Sequence, residues 1–184
     1  TNTDVVVAIS DKATDELDLT FNTDAGRAYI AQSLGVSQSL VDKLEHFGFS
    51  AIANVLAAIK TAKLLDLGED QALITVATDG AALYPSERAK LLERQYGNEF
   101  TTTDAAAAVG EHLAGASTDH LIDCTDTDRR RLFNLGYYTW VEQQGTPFDL
   151  FEARRSQDFW RGLRRYTGVW DAMIDDFNAQ VAAG

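Results

Sequence analysis

The residues best suited to chemistry are small and polar, and they follow an aliphatic run. Residues 72–78 are apolar and β-branched, a composition that predicts a buried strand. The run ends in Thr78, Asp79 and Gly80, and Ser50 lies upstream at the predicted start of a helix. Ligands of open α/β sheets bind where strands end and helices begin. The sequence therefore predicts a ligand site at the end of this strand.

The elements that would position this site follow from the hydrophobic pattern. A second strand is predicted over residues 4–10. Apolar residues at three- and four-residue steps predict helices over residues 14–34 with an interruption near Asn22, then 37–44, 50–67, 86–96, 103–113, 126–143, 156–166 and 169–181. This order predicts an α/β fold with a parallel, helix-covered sheet. Because two strands make an unstable sheet, we expect other residues or another chain to complete it.

The two ends of the chain differ in composition. Eight of the eleven arginines and all three tryptophans follow residue 125. We therefore predict an α/β domain over residues 1–125 and a helical extension over residues 126–184. Trp140, Trp160 and Trp170 are interpreted as anchors, either against the first domain or across a subunit interface.

Charge narrows the classes of partner. The formal net charge of −12 disfavours nucleic acid and anionic membranes, which both select basic surfaces. Arginines interleaved with aromatic residues also occur in single-strand nucleic-acid sites, but here we expect them to pair with Asp and Glu of this chain or of a partner. No apolar run approaches a membrane span of ~20 residues, and the single Cys124 excludes an internal disulfide. These features predict a cytoplasmic protein without a membrane partner.

A second group of reactive residues lies near Cys124. His120 and Cys124, with Asp123, Asp126 and Asp128, resemble a metal or nucleophile cluster. Zinc sites need a second ligand pair at recognisable spacing, and a lone cysteine is usually a small buried apolar residue. We predict neither a metal site nor a catalytic residue here.

Three phrases of the sequence together resemble a known family. The first lies in residues 47–63 and contains Gly48-Phe49-Ser50-Ala51 and Ile52-Ala53-Asn54-Val55-Leu56-Ala57-Ala58-Ile59-Lys60. The second is Ala77-Thr78-Asp79-Gly80, and the third is Asn134-Leu135-Gly136-Tyr137-Tyr138-Thr139-Trp140-Val141-Glu142-Gln143-Gln144-Gly145. In this order they are similar to the C-terminal portion of fold-type II pyridoxal-phosphate enzymes, the superfamily of cysteine synthase, threonine synthase and the tryptophan synthase β-subunit. The similarity is strongest to the branch described as pyridoxal-phosphate-dependent protein β-subunits.

The resemblance implies a cofactor site divided between polypeptides. The cofactor-binding lysine, the substrate loop and the phosphate-binding Gly-rich loop belong to the first half of that family and are not visible here. Lys60 and Lys63 are interpreted as solvated helix lysines. The chain is therefore expected to be inactive alone and to need an N-terminal portion or a complementary subunit. We also expect a homo-oligomer and an amino-acid substrate.

The resemblance assigns specific roles to the candidate residues. Asp79 would face the pyridine nitrogen and keep it protonated, whereas a hydroxyl such as Thr78 would leave it neutral. Gly80 and Ser50 would line the pocket, with Tyr84 and Asn54 at its border. The implied reaction is a β-elimination or β-replacement on an amino acid. Two alternatives stay open: Asp79-Gly80 as a simple turn with Ser50 as an N-cap, and a noncatalytic interaction or assembly module.

Overall fold

The computed structural model describes residues 2–183, so Thr1 and Gly184, at the ends of the two predicted pieces, lie outside it. The chain is 69% helical. Its helices are α1 (Asp11–Asn22), α2 (Asp24–Ser33), α3 (Gln38–Val41), α4 (Phe49–Leu64), α5 (Pro85–Tyr96), α6 (Thr102–Val109), α7 (Asp126–Tyr137), α8 (Phe148–Ala153), α9 (Gln157–Leu163) and α10 (Thr167–Ala183). Short 3-10 turns cover Asp42–His46, Ala81–Leu83 and Arg164–Tyr166, and π-helical turns cover Gly110–Ala114 and Tyr138–Gln143.

The predicted parallel, helix-covered sheet is wrong. Within residues 2–183 the sheet consists of two short antiparallel strands, β1 (Val5–Val7) and β2 (Leu121–Asp123). Residues 72–78 are exposed and form no strand, with Ile74 95% exposed. In the described part of the chain, no backbone N–H of residues 72–78 donates to another backbone group. Aliphatic composition does not make a strand where no neighbouring backbone pairs with it.

The predicted interruption of the helical region 14–34 near Asn22 is confirmed and has a local cause. Helix α1 ends at Asn22, and the hydroxyl of Thr23 accepts from Gly26 N to begin α2. A Cβ on residue 26 would lie 2.1 Å from the Thr20 carbonyl oxygen. Only glycine permits this close approach of the two helices.

Val7–Ile122 form one compact unit, called here the core unit. Helix α1 lies at its centre, because it buries Leu17 and Leu19 completely in two different clusters. Leu17 packs with Ile52 and Leu56 of α4, whereas Leu19 packs with Leu91 and other residues of α5 and α6. The core therefore consists mainly of aliphatic side chains between helices, with the aromatic ring of Phe100 in the second cluster.

Thr1–Val6 and Asp123–Gly184 form the second compact unit, called here the terminal unit. Its most buried large side chain is Phe151, whose ring lies 4.7 Å from that of Phe133 and 6.1 Å from that of Tyr137. Guanidinium groups cover the same cluster: Arg154 lies over Phe151, and Arg155 lies 3.9 Å from the Phe133 centroid. The terminal unit therefore has an aromatic core covered by arginines.

The expected pairing with acidic residues of this chain is confirmed for Arg129, Arg131 and Arg155. Arg129 bonds to Asp4 and Asp126, while Arg155 bonds to Glu152. Each bond stays within the terminal unit. These arginines therefore neutralise local acidic residues rather than forming an unbroken basic surface.

No single helix among the described residues is long and apolar enough to cross a membrane. The bent pair Gln38–His46 and Phe49–Leu64 passes the same length and composition criteria only when its two helices are joined.

Candidate functional site

Two segments that carry the family resemblance meet in the core unit. The backbone N–H of Gly48 donates to the Asp79 carbonyl oxygen at 2.7 Å. A Cβ on residue 48 would lie 2.8 Å from that oxygen and 2.9 Å from the Tyr84 ring, so only glycine fits without displacement. The loop before α4 and the turn at residues 78–80 are therefore fixed against each other.

The Asp79 carboxylate is held by two hydroxyl groups. Tyr84 donates its phenolic hydrogen to one carboxylate oxygen, and Thr78 Oγ1 donates to the other at 2.9 Å. These bonds, the one from Tyr84 first, keep the pKa of the Asp79 carboxyl below its usual range. The same contact raises the pKa of the Tyr84 phenol. Asp79 therefore carries its negative charge at neutral pH and keeps free lone pairs for a further donor.

Tyr84 is positioned by its neighbours and not only by Asp79. Its ring meets Phe49, the first residue of α4, edge to face at 4.7 Å between centroids. The side-chain amide of Asn54, one turn further along α4, donates to the Val76 carbonyl oxygen at 3.0 Å. Helix α4 thus supports the irregular segment that leads to Asp79.

Ser50 lies differently from its predicted place at the start of α4. Gly48, not Ser50, occupies the N-cap of α4, and Ser50 is exposed within the first turn. The predicted N-cap at Ser50 is wrong, because the close contact with Asp79 makes residue 48 the last non-helical position. Gly80 lines a cavity of about 410 Å³ beside His46 and Arg88.

The two helix lysines are more constrained than the sequence predicts. Lys60 Nζ donates to the Asp119 carbonyl oxygen at 2.6 Å and to that of Ala8 at 3.2 Å. Lys63 Nζ donates to the Ala116 carbonyl oxygen. Lys63 is exposed, as predicted, and Lys60 is half-buried, but their ammonium groups also hold α4 to two loops of the core unit.

The comparisons with known proteins identify no relative of this chain. No family model, no curated protein and no solved structure matches the chain.

Sequence reasoning missed another polar cluster in the core unit. Glu16 on α1 and Glu111 and His112 on the π-helical turn bring ligand atoms within 4.8 Å of one another. His112 Nε2 lies 2.7 Å from a Glu16 oxygen, and Lys12 Nζ lies 2.8 Å from Glu111. The Lys12 ammonium already supplies the positive charge that a metal ion would bring. We interpret the cluster as a structural link between α1 and the end of α6.

Cys124 is 4% exposed, which confirms its interpretation as a small buried residue. The metal-competent grouping among the described residues contains neither Cys124 nor His120. A grouping from α1 and the turn after α6 has no sequence signature, because its members are far apart in the chain.

Proposed function

We propose that this chain supplies the Asp79 side of a pyridoxal-phosphate site in an enzyme that acts on amino acids. The observation that carries the proposal is the contact between Gly48 and Asp79. It joins the two separate segments whose sequences resemble cofactor-binding stretches of fold-type II enzymes.

The chemistry of Asp79 fits the proposed group. Bound pyridoxal phosphate acts as an electron sink, and a protonated ring nitrogen deepens that sink. A carboxylate with a lowered pKa stays ionised and can accept a hydrogen bond from that nitrogen. Thr78 and Tyr84 hold the carboxylate in one orientation. Their role in this proposal is positioning.

We propose that the cofactor-binding lysine comes from another polypeptide segment, as the family resemblance implies. Lys60 and Lys63 are bound by backbone carbonyl groups, and Lys12 is paired with Glu111. We therefore propose an N-terminal portion or a complementary subunit as the partner, with β-elimination or β-replacement on an amino acid as the reaction. The reaction and substrate class follow from the family resemblance.

One observation favours a noncatalytic interaction module as the second candidate. Leu73, Ile74 and Val76 are exposed in the segment that leads to Asp79. Aliphatic side chains grouped at a surface commonly mark a protein interface. A module that only binds a partner would use these residues without using the Asp79 carboxylate.

Cofactor binding separates the two candidates. The chain is combined with the polypeptide encoded beside it and titrated with pyridoxal phosphate labelled at the ring nitrogen. We expect visible cofactor absorbance only in the combined sample and a ring-nitrogen NMR shift typical of the protonated form. Asp79→Ala should move this shift to the neutral form and weaken binding roughly tenfold, the value of a charged hydrogen bond.

Asp70→Ala is the matched control, because it removes an exposed carboxylate from the same loop. It should leave the nitrogen shift and the affinity unchanged. An assembled protein that binds no pyridoxal phosphate would support the interaction module. Equal spectra for wild type and Asp79→Ala would refute the role of Asp79.

A further inference from the structure

The terminal unit contains an apolar helix face that nothing covers. Every described side chain of α10, residues 167–182, is exposed. Five large apolar residues recur at three- and four-residue steps and so form one stripe along the helix. This α10 stripe consists of Trp170, Met173, Ile174, Phe177 and Val181.

The edges of the α10 stripe carry only negative charge. At 100° per residue, Asp171 lies on one side of the stripe and Asp176 on the other. The helix contains three aspartates and no lysine or arginine. Helices that bind membrane surfaces carry Lys and Arg beside the apolar face, so an anionic membrane does not fit this one.

An apolar groove whose border carries positive charge lies in the same unit. It measures about 730 Å³ and is formed by α7, the following π-helical turn and α8. Its apolar wall includes Leu135, Tyr138 and Phe148, all more than half exposed. We call it the aromatic groove.

Positive charge borders the aromatic groove. Arg130, Arg131 and Arg155 contribute to its lining. Arg131 and Arg155 also bond to Asp128 and Glu152, whereas Arg130 is exposed and has no ion-pair partner among residues 2–183. Glu152 also lines the groove, so Arg130 is the lining arginine that is left to pair with an acidic edge of an apolar helix.

We propose that α10 of one copy docks in the aromatic groove of a second copy, and that the exchange is reciprocal. Within one chain the stripe and the groove are both exposed, so each is available to another copy. Reciprocal exchange closes a two-fold dimer with two equivalent contacts. Stripe-to-stripe pairing would bring the acidic edges of two α10 helices together, and like charges at an interface oppose association. This proposal is independent of the pyridoxal-phosphate site.

The first test is the oligomeric state of the 184-residue chain by sedimentation equilibrium. We expect a dimer at high micromolar concentration. Phe177→Asp places a charge in the middle of the stripe and should weaken the dimer by roughly a hundredfold or more. Far-UV circular dichroism should stay unchanged, because Phe177 is already exposed in the monomer. A monomeric wild-type chain at this concentration would overturn the proposal.

Charge reversal identifies which surfaces meet. Asp176→Arg and Arg130→Asp should each weaken the dimer about tenfold or more, since each places like charges at both contacts. Mixing the two variants should restore dimers, because the mixed dimer contains one original pair and one reversed pair. Asp175→Arg is the control, since this residue lies farther from the stripe on the same helix, and it should change the affinity less than threefold.

The mixing experiment also distinguishes the exchange from two other arrangements of α10. Stripe-to-stripe pairing would respond to Asp176→Arg but not to Arg130→Asp. Docking of α10 in the groove of its own chain would give a monomer whose mass is unaffected by mixing. Either result contradicts the exchange.

Discussion

The core unit and the terminal unit bury their side chains by different means. In the core unit, α1 is surrounded by other helices and its leucines are fully enclosed. In the terminal unit, rings and guanidinium groups stack around Phe151, and the long α10 remains exposed. The position of α1 is therefore fixed by contacts within its own chain. The apolar face of α10 lacks such enclosure and is available to another molecule.

The largest expected loss of stability comes from breaking a buried ion pair, which the core unit contains. Asp18 is fully buried and accepts from Arg88 Nε at 2.8 Å and Nη2 at 3.0 Å. Arg88→Ala leaves this carboxylate without its cation, a change that costs about 3–5 kcal/mol. Urea unfolding measures the loss as a shift of the transition midpoint.

Lys90→Ala provides the control on the same helix. It breaks the exposed pair with Glu87, which is worth at most about 1 kcal/mol. Equal effects of the two substitutions would mean that the Asp18–Arg88 pair is not enclosed as the structure has it.

The second prediction compares one apolar residue from each unit. Leu17 is 0% exposed and Phe177 is 65% exposed. Leu17→Ala should destabilise the core unit by about 2–5 kcal/mol through lost contacts and the cavity left behind. Phe177→Ala should change the unfolding free energy of the monomer by no more than about 0.5 kcal/mol, as is usual for exposed positions.

Thermal and urea unfolding at low micromolar concentration measure both variants below the expected dimerisation range. If Phe177→Ala were as destabilising as Leu17→Ala, α10 would be packed within its own chain. The exposure of the α10 stripe would then be incorrect, and the contrast between the units would disappear.

The features that the sequence predicts well are helix boundaries and faces, which depend on residues close together in the chain. The break between α1 and α2 follows from the Thr23 cap, and α7 begins where Thr125 and Asp128 form a reciprocal cap. Periodicity likewise predicts the apolar face of α4. Such features need only a few adjacent side chains.

Features that need a distant partner are predicted less well. Residues 72–78 have the composition of a strand, but strand formation also requires a neighbouring backbone. β2 was missed because its three residues are too short to form a pattern. The pairing of Glu16 with His112 depends on packing across the core unit. By contrast, the sequence context of Asp79 is enough to make it a candidate site residue, and its contacts with Gly48 and Tyr84 are visible only in the structure.

The smallest predicted effect concerns alkaline stability of the core unit. Burial, followed by the charge of Glu16, raises the pKa of Tyr96 from 10.0 to about 12. The native state therefore keeps its phenolic proton between pH 10 and about 12, while the unfolded chain releases it. Stability contributed by this proton is complete below pH 10 and is lost as pH rises through about 12.

Tyr96→Phe removes the titrating group, so its urea midpoint should fall less than that of wild type over this range. In ultraviolet titration, the absorbance step near pH 12 should disappear only in this variant. If the two midpoints fell in parallel, the raised pKa of Tyr96 would be contradicted, and enclosure by the core unit would not extend to this ring.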